Sequence, residues 1–347
     1  MDKIDVAILG ATGQVGQKFI FLLADHPYFR IAELVASQRS AGKKYAEIAN
    51  WKQTTPIPPA VAGMTVKYTD ESLVSPILFS GLDSSVAGPV EEDYARKGHN
   101  VISNSKNHRM DPDVPIVIPE VNPEHLEIIR RQKFGGGTIV TNSNCSTMFL
   151  VIALAPLHKA FGVEAVQVTT MQAISGAGYP GVPSLDILGN VVPYIGEEEE
   201  KMERETAKML GTFTGSAIEP ARFLVSAQCN RVAVHDGHTE TVSVRLRSKA
   251  TPAQVMAVLR EFRGLPQEMK LPMAPENPII VFEDNDRPQP ARDVWLSRGM
   301  ATMVGRVRPC PVMDIKMVVL GHNTIRGAAG AAVLNAEYML KKGYINP

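Results

Sequence analysis

The chain has 347 residues, and its Lys+Arg and Asp+Glu totals are both 36, so its formal net charge is zero. A length above about 250–300 residues favours two domains, and the balanced charge provides no overall field that would attract nucleic acid or an anionic membrane. Because no apolar run approaches the roughly 20 residues of a membrane-spanning helix, and the three cysteines are too few for a disulfide framework, we predict a cytoplasmic protein with reduced thiols.

A short apolar strand is predicted at Ile4–Leu9, directly before a glycine-rich turn and an amphipathic helix at Gln17–Asp25. Strand, glycine turn and helix in this order are typical of a mononucleotide-binding unit, because the glycines let the backbone approach a pyrophosphate at the helix N-terminus. The spacing G-x-x-G-x-x-G departs from G-x-G-x-x-G, so a tight turn without a ligand is the alternative. The residues predicted to contact a dinucleotide here are Gly10, Thr12, Gly13, Gln14 and Val15.

The second predicted strand, Ile31–Ala36, lacks the acidic residue that an NAD site places at the end of this strand for the ribose hydroxyls. Glu33 lies inside the strand, too early for that contact. Ser37, Arg39 and Ser40 follow the strand instead, and hydroxyls beside a guanidinium suit a 2′-phosphate. The sequence therefore favours NADP over NAD, with a solvated basic loop as the alternative.

Two further strands are predicted at Ile77–Ser80 and Val101–Asn104. Small polar residues after the first, including Ser84 and Ser85, would line the ligand crevice of an open α/β sheet. Arg109 follows the second strand, where it could clamp an anionic substrate, although a lone arginine is more often a surface residue. The alternation of strands and helices up to residue 140 predicts a doubly wound parallel sheet.

Cys145 lies between an apolar strand, Thr138–Val140, and a helical pattern at Met148–Ala155. The positive end of the helix would stabilise a thiolate, and its free N–H groups could hold an oxyanion. A buried structural cysteine is the alternative. The neighbouring Asn, Ser and Thr side chains are poor core formers, so we predict that Cys145 is a nucleophile.

From Gly162 onward the pattern indicates an α+β domain with a mixed or antiparallel sheet. A long strand is predicted at Val163–Gln172, and an acidic helix that carries Lys201 runs from Glu197 to about Leu210. One clear later helix, Pro252–Phe262, has Thr251 as its N-cap. The other predicted strands are Arg222–Ser226, Asn230–His235, His238–Arg247, Met300–Val307 and Val312–Leu320.

Arg231 and His238 are the best partners for Cys145. We predict that they share a hairpin closed by an Asp-Gly turn, where a guanidinium can hold a carboxylate and an imidazole can exchange protons. A surface arginine and a turn histidine are the alternatives. Cys229, His235 and His238 could suggest a zinc site, but no fourth ligand stands at metal spacing, so no metal is predicted.

The final helix is predicted at about Thr324–Lys342, with Asn323 as its cap. Small residues in its first turns allow close approach to another backbone, so we expect the chain to return to the first domain. The predicted domains are an NADP-binding domain, 1–143, completed by 323–347, and a catalytic and dimerisation domain, 144–322.

Six stretches resemble aspartate-β-semialdehyde dehydrogenase, of the branch found in archaea and fungi, and the resemblance covers essentially the whole chain. They are Gly10–Gly16, Ser103–Arg109, Thr141–Ser146, Gln172–Gly178, Arg231–Glu240 and Asn323–Gly330. The resemblance implies a Rossmann-like first domain. It also implies reversible, NADPH-dependent reductive dephosphorylation of L-aspartyl 4-phosphate to L-aspartate 4-semialdehyde, a step in lysine, threonine, methionine and isoleucine biosynthesis.

The resemblance also implies residue roles. Cys145 would carry a thioester, His238 would be its acid/base partner and Gln172 would orient the acyl group. Arg231 would clamp the α-carboxylate and Glu198 would take the amino group of the substrate. Phosphate would be bound by Arg109 and Lys201, with Asn144 adjoining. Asn323 would meet the nicotinamide carboxamide, near Ser175 and Gly176. The implied assembly is a homodimer or a dimer of dimers.

Three alternatives remain open. Malonyl-CoA reductase has the same architecture, but Asn142 and Asn144 before the cysteine count against it. A phosphorylating dehydrogenase for another acyl phosphate, such as N-acetylglutamyl phosphate, is disfavoured by Arg231 and the near-full-length match. A dinucleotide-binding regulatory protein without turnover is disfavoured by the presence of both Cys145 and His238.

Overall fold

The computed structural model describes residues 2–345 without a break, and Met1, Asn346 and Pro347, which the predicted domain limits include, lie outside the described residues. The first part of the chain forms a five-stranded sheet in the order β2-β1-β3-β4-β5. Its strands are β1 (Ile4–Leu9), β2 (Phe29–Val35), β3 (Ile77–Ser80), β4 (Asn100–Ser103) and β5 (Thr138–Thr141). Its helices are α1 (Gln14–Leu23), α2 (Tyr45–Ile48), α3 (Pro59–Ala62) and α4 (Ser84–Arg96), with a 3₁₀ helix at Pro123–Arg131.

All pairings in this first sheet are parallel, which confirms the predicted doubly wound, Rossmann-like architecture. Every residue of β3 is buried, as expected for parallel strands that are covered on both faces. Because the strands are parallel, their carboxyl ends meet at one edge. Four neighbouring strands are followed directly, at that edge, by Gly10, Gly81, Asn104 and Asn142.

The second part is built on a seven-stranded mixed sheet in the order β12-β13-β14-β11-β6-β10-β7, which confirms the predicted α+β domain. Its strands are β6 (Val163–Gln172), β7 (Val191–Val192), β10 (Leu224–Val232), β11 (His238–Leu246), β12 (Ile279–Val281), β13 (Thr302–Pro309) and β14 (Ile315–Gly321), and a separate pair is formed by β8 (Thr212–Phe213) and β9 (Ile218–Glu219). The helices are α5 (Cys145–Phe161), α6 (Ser184–Ile187), α7 (Glu198–Met209), α8 (Pro252–Glu261), α9 (Leu265–Glu268), α10 (Pro290–Asp293) and α11 (Gly330–Lys341), with 3₁₀ turns at Ile174–Ala177 and Leu296–Gly299.

The predicted hairpin between Arg231 and His238 is wrong. β10 and β11 are not hydrogen-bonded to each other, because β6 lies between them, parallel to β10 and antiparallel to β11. The connection between the two strands lies against the segment that follows β6, since Val234 and His235 accept hydrogen bonds from the N–H groups of Ile174 and Ser175. The two predicted strands around residues 222–235 are one continuous strand, β10.

The C-terminal helix α11 returns to the first sheet and packs on α1, β3 and β4, as predicted. A π-helical turn, Ile325–Ala329, leads into it. Its small residues allow close packing, since a Cβ atom on Gly327 would lie 2.9 Å from Cβ of Cys145. A bidentate ion pair from Arg326 to Glu120, at 2.9 and 2.8 Å, also ties this turn to the first part of the chain.

None of the helices between residues 2 and 345 is both long and apolar enough to cross a membrane.

Candidate active site

Cys145 is the first residue of α5, three residues earlier than the predicted helix start. Asn144 is its N-cap, and the Asn144 Oδ1 atom accepts hydrogen bonds from the N–H groups of Ser146 at 3.0 Å and Thr147 at 3.2 Å. The expectation that these N–H groups are free to hold an oxyanion is therefore wrong for this pair, because the capping side chain occupies them. Cys145 remains at the positive end of the helix.

His238, the first residue of β11, contacts the nucleophile candidate directly. Its Nε2 atom lies 3.2 Å from Sγ of Cys145, and its Nδ1 atom accepts a hydrogen bond of 3.0 Å from the backbone N–H of Ala173. Because a backbone N–H can only donate, Nδ1 carries no proton, and a neutral His238 must carry its proton on Nε2. The imidazole therefore presents an N–H group to the sulfur.

The charge state of this pair differs from the thiolate expected at a helix N-terminus. Burial raises the pKa of the Cys145 thiol to about 12, with Glu198 adding to the effect and Arg231 and Arg109 opposing it. Burial, followed by the charge of Arg231, lowers the pKa of His238 to about 3. In the free protein near neutral pH, desolvation outweighs the helix end, and the pair is a neutral thiol beside a neutral imidazole.

Gln172 and Arg231 stand beside this pair because of the strand register. Gln172 ends β6 and lies opposite Arg231 of β10, while β11 starts at His238 on the other side of β6. The guanidinium NH1 of Arg231 donates to the carbonyl of Ala173 at 2.8 Å. A Cβ atom on Gly176 would lie 3.0 Å from that NH1 and 3.2 Å from Cε1 of His238, so a larger residue here would require these two side chains to shift by a few tenths of an ångström.

Helix α7 contributes Glu198 and Lys201 to the same place. Glu198 is one of four consecutive glutamates, Glu197–Glu200, and the structure buries it while Glu197 and Glu200 are exposed. The Glu198 carboxylate accepts hydrogen bonds from Asn144 Nδ2 at 2.7 Å and Gln172 Nε2 at 3.3 Å. Lys201 Nζ donates to the other oxygen at 3.1 Å.

Arg109 reaches this cluster from the loop after β4. Its NH1 donates to Glu205 at 3.0 Å and its NH2 to the carbonyl of Asn104 at 2.8 Å. Its Nε is buried and has no hydrogen-bond partner among residues 2–345. Arg109 is one of the cations whose charge acts on Cys145, so the structure brings the predicted anion ligand close to the predicted nucleophile.

The glycine turn after β1 fits a dinucleotide. Gly10 has φ of +77°, and a Cβ atom there would lie 2.6 Å from the carbonyl oxygen of Gly81. Gly13 is the N-cap of α1 and provides no side-chain cap, so the first N–H groups of the helix are available to a phosphate. Gln14 Oε1 is buried and without a partner in the described part of the chain. Thr12 and Val15 belong to the same turn.

The loop after β2 fits a 2′-phosphate better than free ribose hydroxyls. Ser37 and Arg39 are exposed and Ser40 is half-buried. The acidic candidate, Glu33, is bound elsewhere, to Lys67 Nζ at 2.8 Å and to Ser75 Oγ at 2.5 Å. Its carboxylate is therefore not free to receive a ribose.

The remaining cofactor candidates fall in two places. Ser84 and Ser85 open α4 at the edge of the first sheet, where Asp83 caps the helix through the Ser85 N–H at 2.9 Å. Asn323 and Ser175 lie on the His238 side, joined by a hydrogen bond of 2.8 Å. Asn323 does not cap the last helix as predicted, because its Oδ1 accepts the N–H of Gly237 at 2.9 Å.

The sequence reasoning missed two buried charges of α7, Glu205 and Lys208. Helical spacing could have found them, since they lie seven and ten residues after Glu198 on the same face. The zinc set considered from the sequence does not assemble: His235 is exposed and pairs with Asp236. Residues 2–345 contain no group of three or more His, Cys, Asp or Glu side chains that could hold a metal ion.

Comparisons with known proteins give the family of the chain. Residues 5–129 match the family model of the semialdehyde dehydrogenase NAD-binding domain, and residues 154–326 match that of the semialdehyde dehydrogenase dimerisation domain. Aspartate-semialdehyde dehydrogenase from Schizosaccharomyces pombe is 50% identical over 350 residues, covering 97% of this chain and 98% of the relative. The enzyme of that name from Methanothermobacter thermautotrophicus is 49% identical over 341 residues, covering 96% and 98%.

Among solved structures, aspartate semialdehyde dehydrogenase with NADP from Candida albicans superimposes with a TM-score of 0.91 at 44% identity, covering 99% of this chain and 100% of that one. Aspartate semialdehyde dehydrogenase II complexed with ASA from Vibrio cholerae gives 0.78 at 28% identity, covering 98% and 99%. The two sequence relatives are about half identical to this chain over almost the full length of both chains. This chain is therefore a member of the aspartate-semialdehyde dehydrogenase family.

Proposed function

We propose that the protein catalyses the reversible, NADPH-dependent reductive dephosphorylation of L-aspartyl 4-phosphate to L-aspartate 4-semialdehyde, in lysine, threonine, methionine and isoleucine biosynthesis. The observation that carries this proposal is the contact of 3.2 Å between Cys145 Sγ and His238 Nε2, with Arg231 of β10, Arg109 of the loop after β4 and Lys201 of α7 as the surrounding cations. A substrate with a carboxylate at one end and an acyl phosphate at the other needs two cationic sites. Family membership supports the same activity.

Recognition of the amino acid end is assigned to Arg231 and Glu198. The planar guanidinium of Arg231 matches a carboxylate in bidentate geometry, and the buried Glu198 carboxylate offers an acceptor to an ammonium group. Gln172, which already contacts Glu198, would orient the acyl group beside the sulfur. The phosphate end is assigned to Arg109 and Lys201, with Asn144 adjoining them.

In the biosynthetic direction, the sulfur of Cys145 attacks the acyl carbon, the bond from that carbon to the phosphate oxygen breaks, and a thioester forms. Protons balance when the thiol proton leaves with the phosphate, which departs as hydrogen phosphate. His238 holds a proton at Nε2, facing the sulfur, where it can stabilise or protonate an oxygen of the acyl group attached there. The reverse direction uses inorganic phosphate as the nucleophile on the same thioester.

NADP would be held by the glycine turn after β1, with Gly10, Thr12, Gly13, Gln14 and Val15 at the pyrophosphate side. Ser37, Arg39 and Ser40 would receive the 2′-phosphate, and Ser84, Ser85, Ser175, Gly176 and Asn323 would complete the site. The fit rests on the uncapped N-terminus of α1 and the engaged Glu33 carboxylate. Bound NADPH supplies the hydride that reduces the thioester carbon.

The proposal is tested by NADPH oxidation with β-aspartyl phosphate and, in separate assays, with malonyl-CoA and N-acetylglutamyl phosphate. Turnover with the aspartyl compound alone supports the assignment. Preference for either other compound would reassign the substrate, and NADPH binding without turnover on all three would indicate a regulatory protein.

We also propose that the NADP-binding unit comprises residues 1–143 and 323–347, that residues 144–322 form the catalytic and dimerisation unit, and that the protein is cytoplasmic. Homo-oligomerisation, as a dimer or a dimer of dimers, is supported by the dimerisation-domain match. It is also supported by exposed apolar side chains of the second domain, Leu185, Leu188, Val191, Tyr194 and Leu224. Light scattering during size-exclusion chromatography would distinguish a dimer from a dimer of dimers.

A further inference from the structure

Four of the charged side chains of helix α7 follow one another at intervals of three, four and three residues, which places them on one face of the helix. Glu198 and Lys201 belong to the site described above. Glu205 and Lys208 continue the same face and are buried, at 2% and 6% exposure. Buried charges are costly unless each is paired, so the contacts of Glu205 and Lys208 indicate what they do.

Glu205 joins two parts of the site that come from different elements. One carboxylate oxygen accepts a hydrogen bond from NH1 of Arg109 at 3.0 Å. The other accepts from the backbone N–H of Asn144 at 2.6 Å. Asn144 is the N-cap directly before Cys145, so a single carboxylate links the cation assigned to phosphate with the turn that carries the nucleophile.

Lys208 holds the main chain of the same loop. Its Nζ donates to the carbonyl oxygens of Arg109 at 2.7 Å, Asp111 at 2.8 Å and Val114 at 2.7 Å. These three acceptors match the three N–H donors of an ammonium group. Glu205 therefore fixes the side chain of Arg109, while Lys208 fixes its backbone.

We propose that Glu205 is a positioning residue, which with Lys208 sets Arg109 at a fixed place relative to the sulfur of Cys145. A phosphate bound to Arg109 is then aligned with the acyl carbon on that sulfur. The proposal rests on the proposed phosphate role of Arg109. The unpartnered Nε of Arg109 is the donor that Glu205 and Asn104 leave available to a phosphate oxygen.

A carboxylate beside a phosphate site has an electrostatic cost, because it repels the incoming anion. The two possible roles of Glu205 therefore predict opposite changes in the KM for phosphate. If Glu205 acts only as a nearby negative charge, Glu205→Gln lowers the KM for phosphate. If Glu205 positions Arg109, the same change raises it, because a glutamine that keeps the Asn144 contact turns its NH₂ group against the Arg109 NH1.

The experiment uses the full-length enzyme in the oxidative direction, with aspartate semialdehyde, NADP⁺ and a series of inorganic phosphate concentrations. Glu205→Gln should raise the KM for phosphate about tenfold or more, the effect of one lost charge-assisted hydrogen bond, and should change the KM for the semialdehyde much less. Glu203→Gln is the matched control, since Glu203 lies on the same helix, is half-buried and accepts a hydrogen bond from Ala227 instead.

A double-mutant cycle with Arg109→Ala separates positioning from general damage. Because Glu205 acts through Arg109, adding Glu205→Gln to Arg109→Ala should not raise the phosphate KM any further. If Glu205→Gln yields no folded protein, Lys208→Met tests the same alignment through the backbone of the loop and should also raise the phosphate KM.

An unchanged or lowered phosphate KM in folded Glu205→Gln, or additive effects in the cycle, would overturn the positioning role alone. If Arg109→Ala itself leaves the phosphate KM unchanged, the proposed phosphate role of Arg109 is wrong and the positioning role is overturned with it.

Discussion

The backbone N–H of Ala173 donates a hydrogen bond of 3.0 Å to Nδ1 of His238. This one contact sets which ring nitrogen carries the proton, and it places an N–H rather than a lone pair against the sulfur of Cys145. His238 therefore cannot take the thiol proton at Nε2 unless it gives up its contact with Ala173.

The tautomer can be observed directly. In ¹⁵N-histidine NMR spectra of the free protein near pH 7, His238 should show a protonated Nε2 and an unprotonated Nδ1, with no titration near the ordinary histidine pKa of 6.5, because its pKa is lowered to about 3. His238→Asn identifies the signal by removing it. A protonated Nδ1, or a titration near pH 6.5, would contradict the assignment.

The same shift predicts a pH effect on stability. The folded pKa of His238 lies below the unfolded value of 6.5, so the unfolded protein takes up a proton at a higher pH than the folded protein does. The contribution of His238 to the free energy of unfolding is therefore complete above pH 6.5 and is lost as the pH falls from there towards 3. In urea unfolding, wild type should lose more stability than His238→Asn between pH 7.5 and pH 5. Equal losses in both proteins would show that the pKa of His238 is the same in the folded and the unfolded protein.

Cys145→Ser should abolish turnover and leave NADPH binding and the fold intact, because serine keeps the helix start but is a far weaker nucleophile at neutral pH. The measurement is NADPH oxidation with β-aspartyl phosphate, alongside fluorescence titration of NADPH and a thermal melt. Substantial residual activity in the serine variant would reject Cys145 as the covalent nucleophile.

Alkylation should follow the thiol pKa values in the free protein, and the expected order is the reverse of the one that a helix N-terminus predicts. Partial burial acts to raise the pKa of Cys310, but the backbone N–H groups of Met313 and Val312, the Ser243 hydroxyl and the charge of Lys316 together lower it. Burial raises the pKa of both Cys145 and Cys229 to about 12. Iodoacetamide should therefore modify Cys310 first, as read by peptide mass spectrometry, and Cys310→Ser should remove the fast phase.

Cofactor choice is predicted to depend on Arg39. Arg39→Ala should weaken NADPH binding by about 1.5–3 kcal/mol, the range for a hydrogen bond to a charged group, and should leave NADH binding almost unchanged. Isothermal titration with both cofactors gives the comparison, and Lys44→Ala in the same exposed segment is the control. An equal loss for NADPH and NADH would mean that this loop does not read the 2′-phosphate.

The two ends of the substrate should respond to different arginines. Arg231→Lys keeps the charge but loses the planar fork, so it should raise the KM for the aspartyl compound. Arg109→Ala should raise the KM for inorganic phosphate in the oxidative direction, with a smaller effect on the semialdehyde. If both variants change the two KM values in the same proportion, the division between the two sites is wrong.

Local patterns were enough to place several of the elements. The bounds of β3 and β6 agree with the sequence prediction residue for residue, because polar residues and glycines stand at their ends. The hairpin prediction failed because an Asp-Gly sequence indicates only a local turn. It carries no information on the long-range pairing that inserts β6 between β10 and β11. The thiolate prediction failed for a similar reason, since the desolvation of Cys145 depends on segments that are distant in the chain, among them the strand that carries His238.

The last helix has a consequence for how the chain is made. α11 and the turn before it supply Ile325, Ala332, Val333 and other side chains to the same core as β1, β3 and β4, and Asn335 donates a hydrogen bond of 2.8 Å to Asn142. During synthesis, the first sheet leaves the ribosome about 180 residues before these partners do. Its apolar face therefore stays uncovered, or is held by a chaperone, until residues 325–335 have been made, so the core of the first sheet is completed only by residues that are made much later.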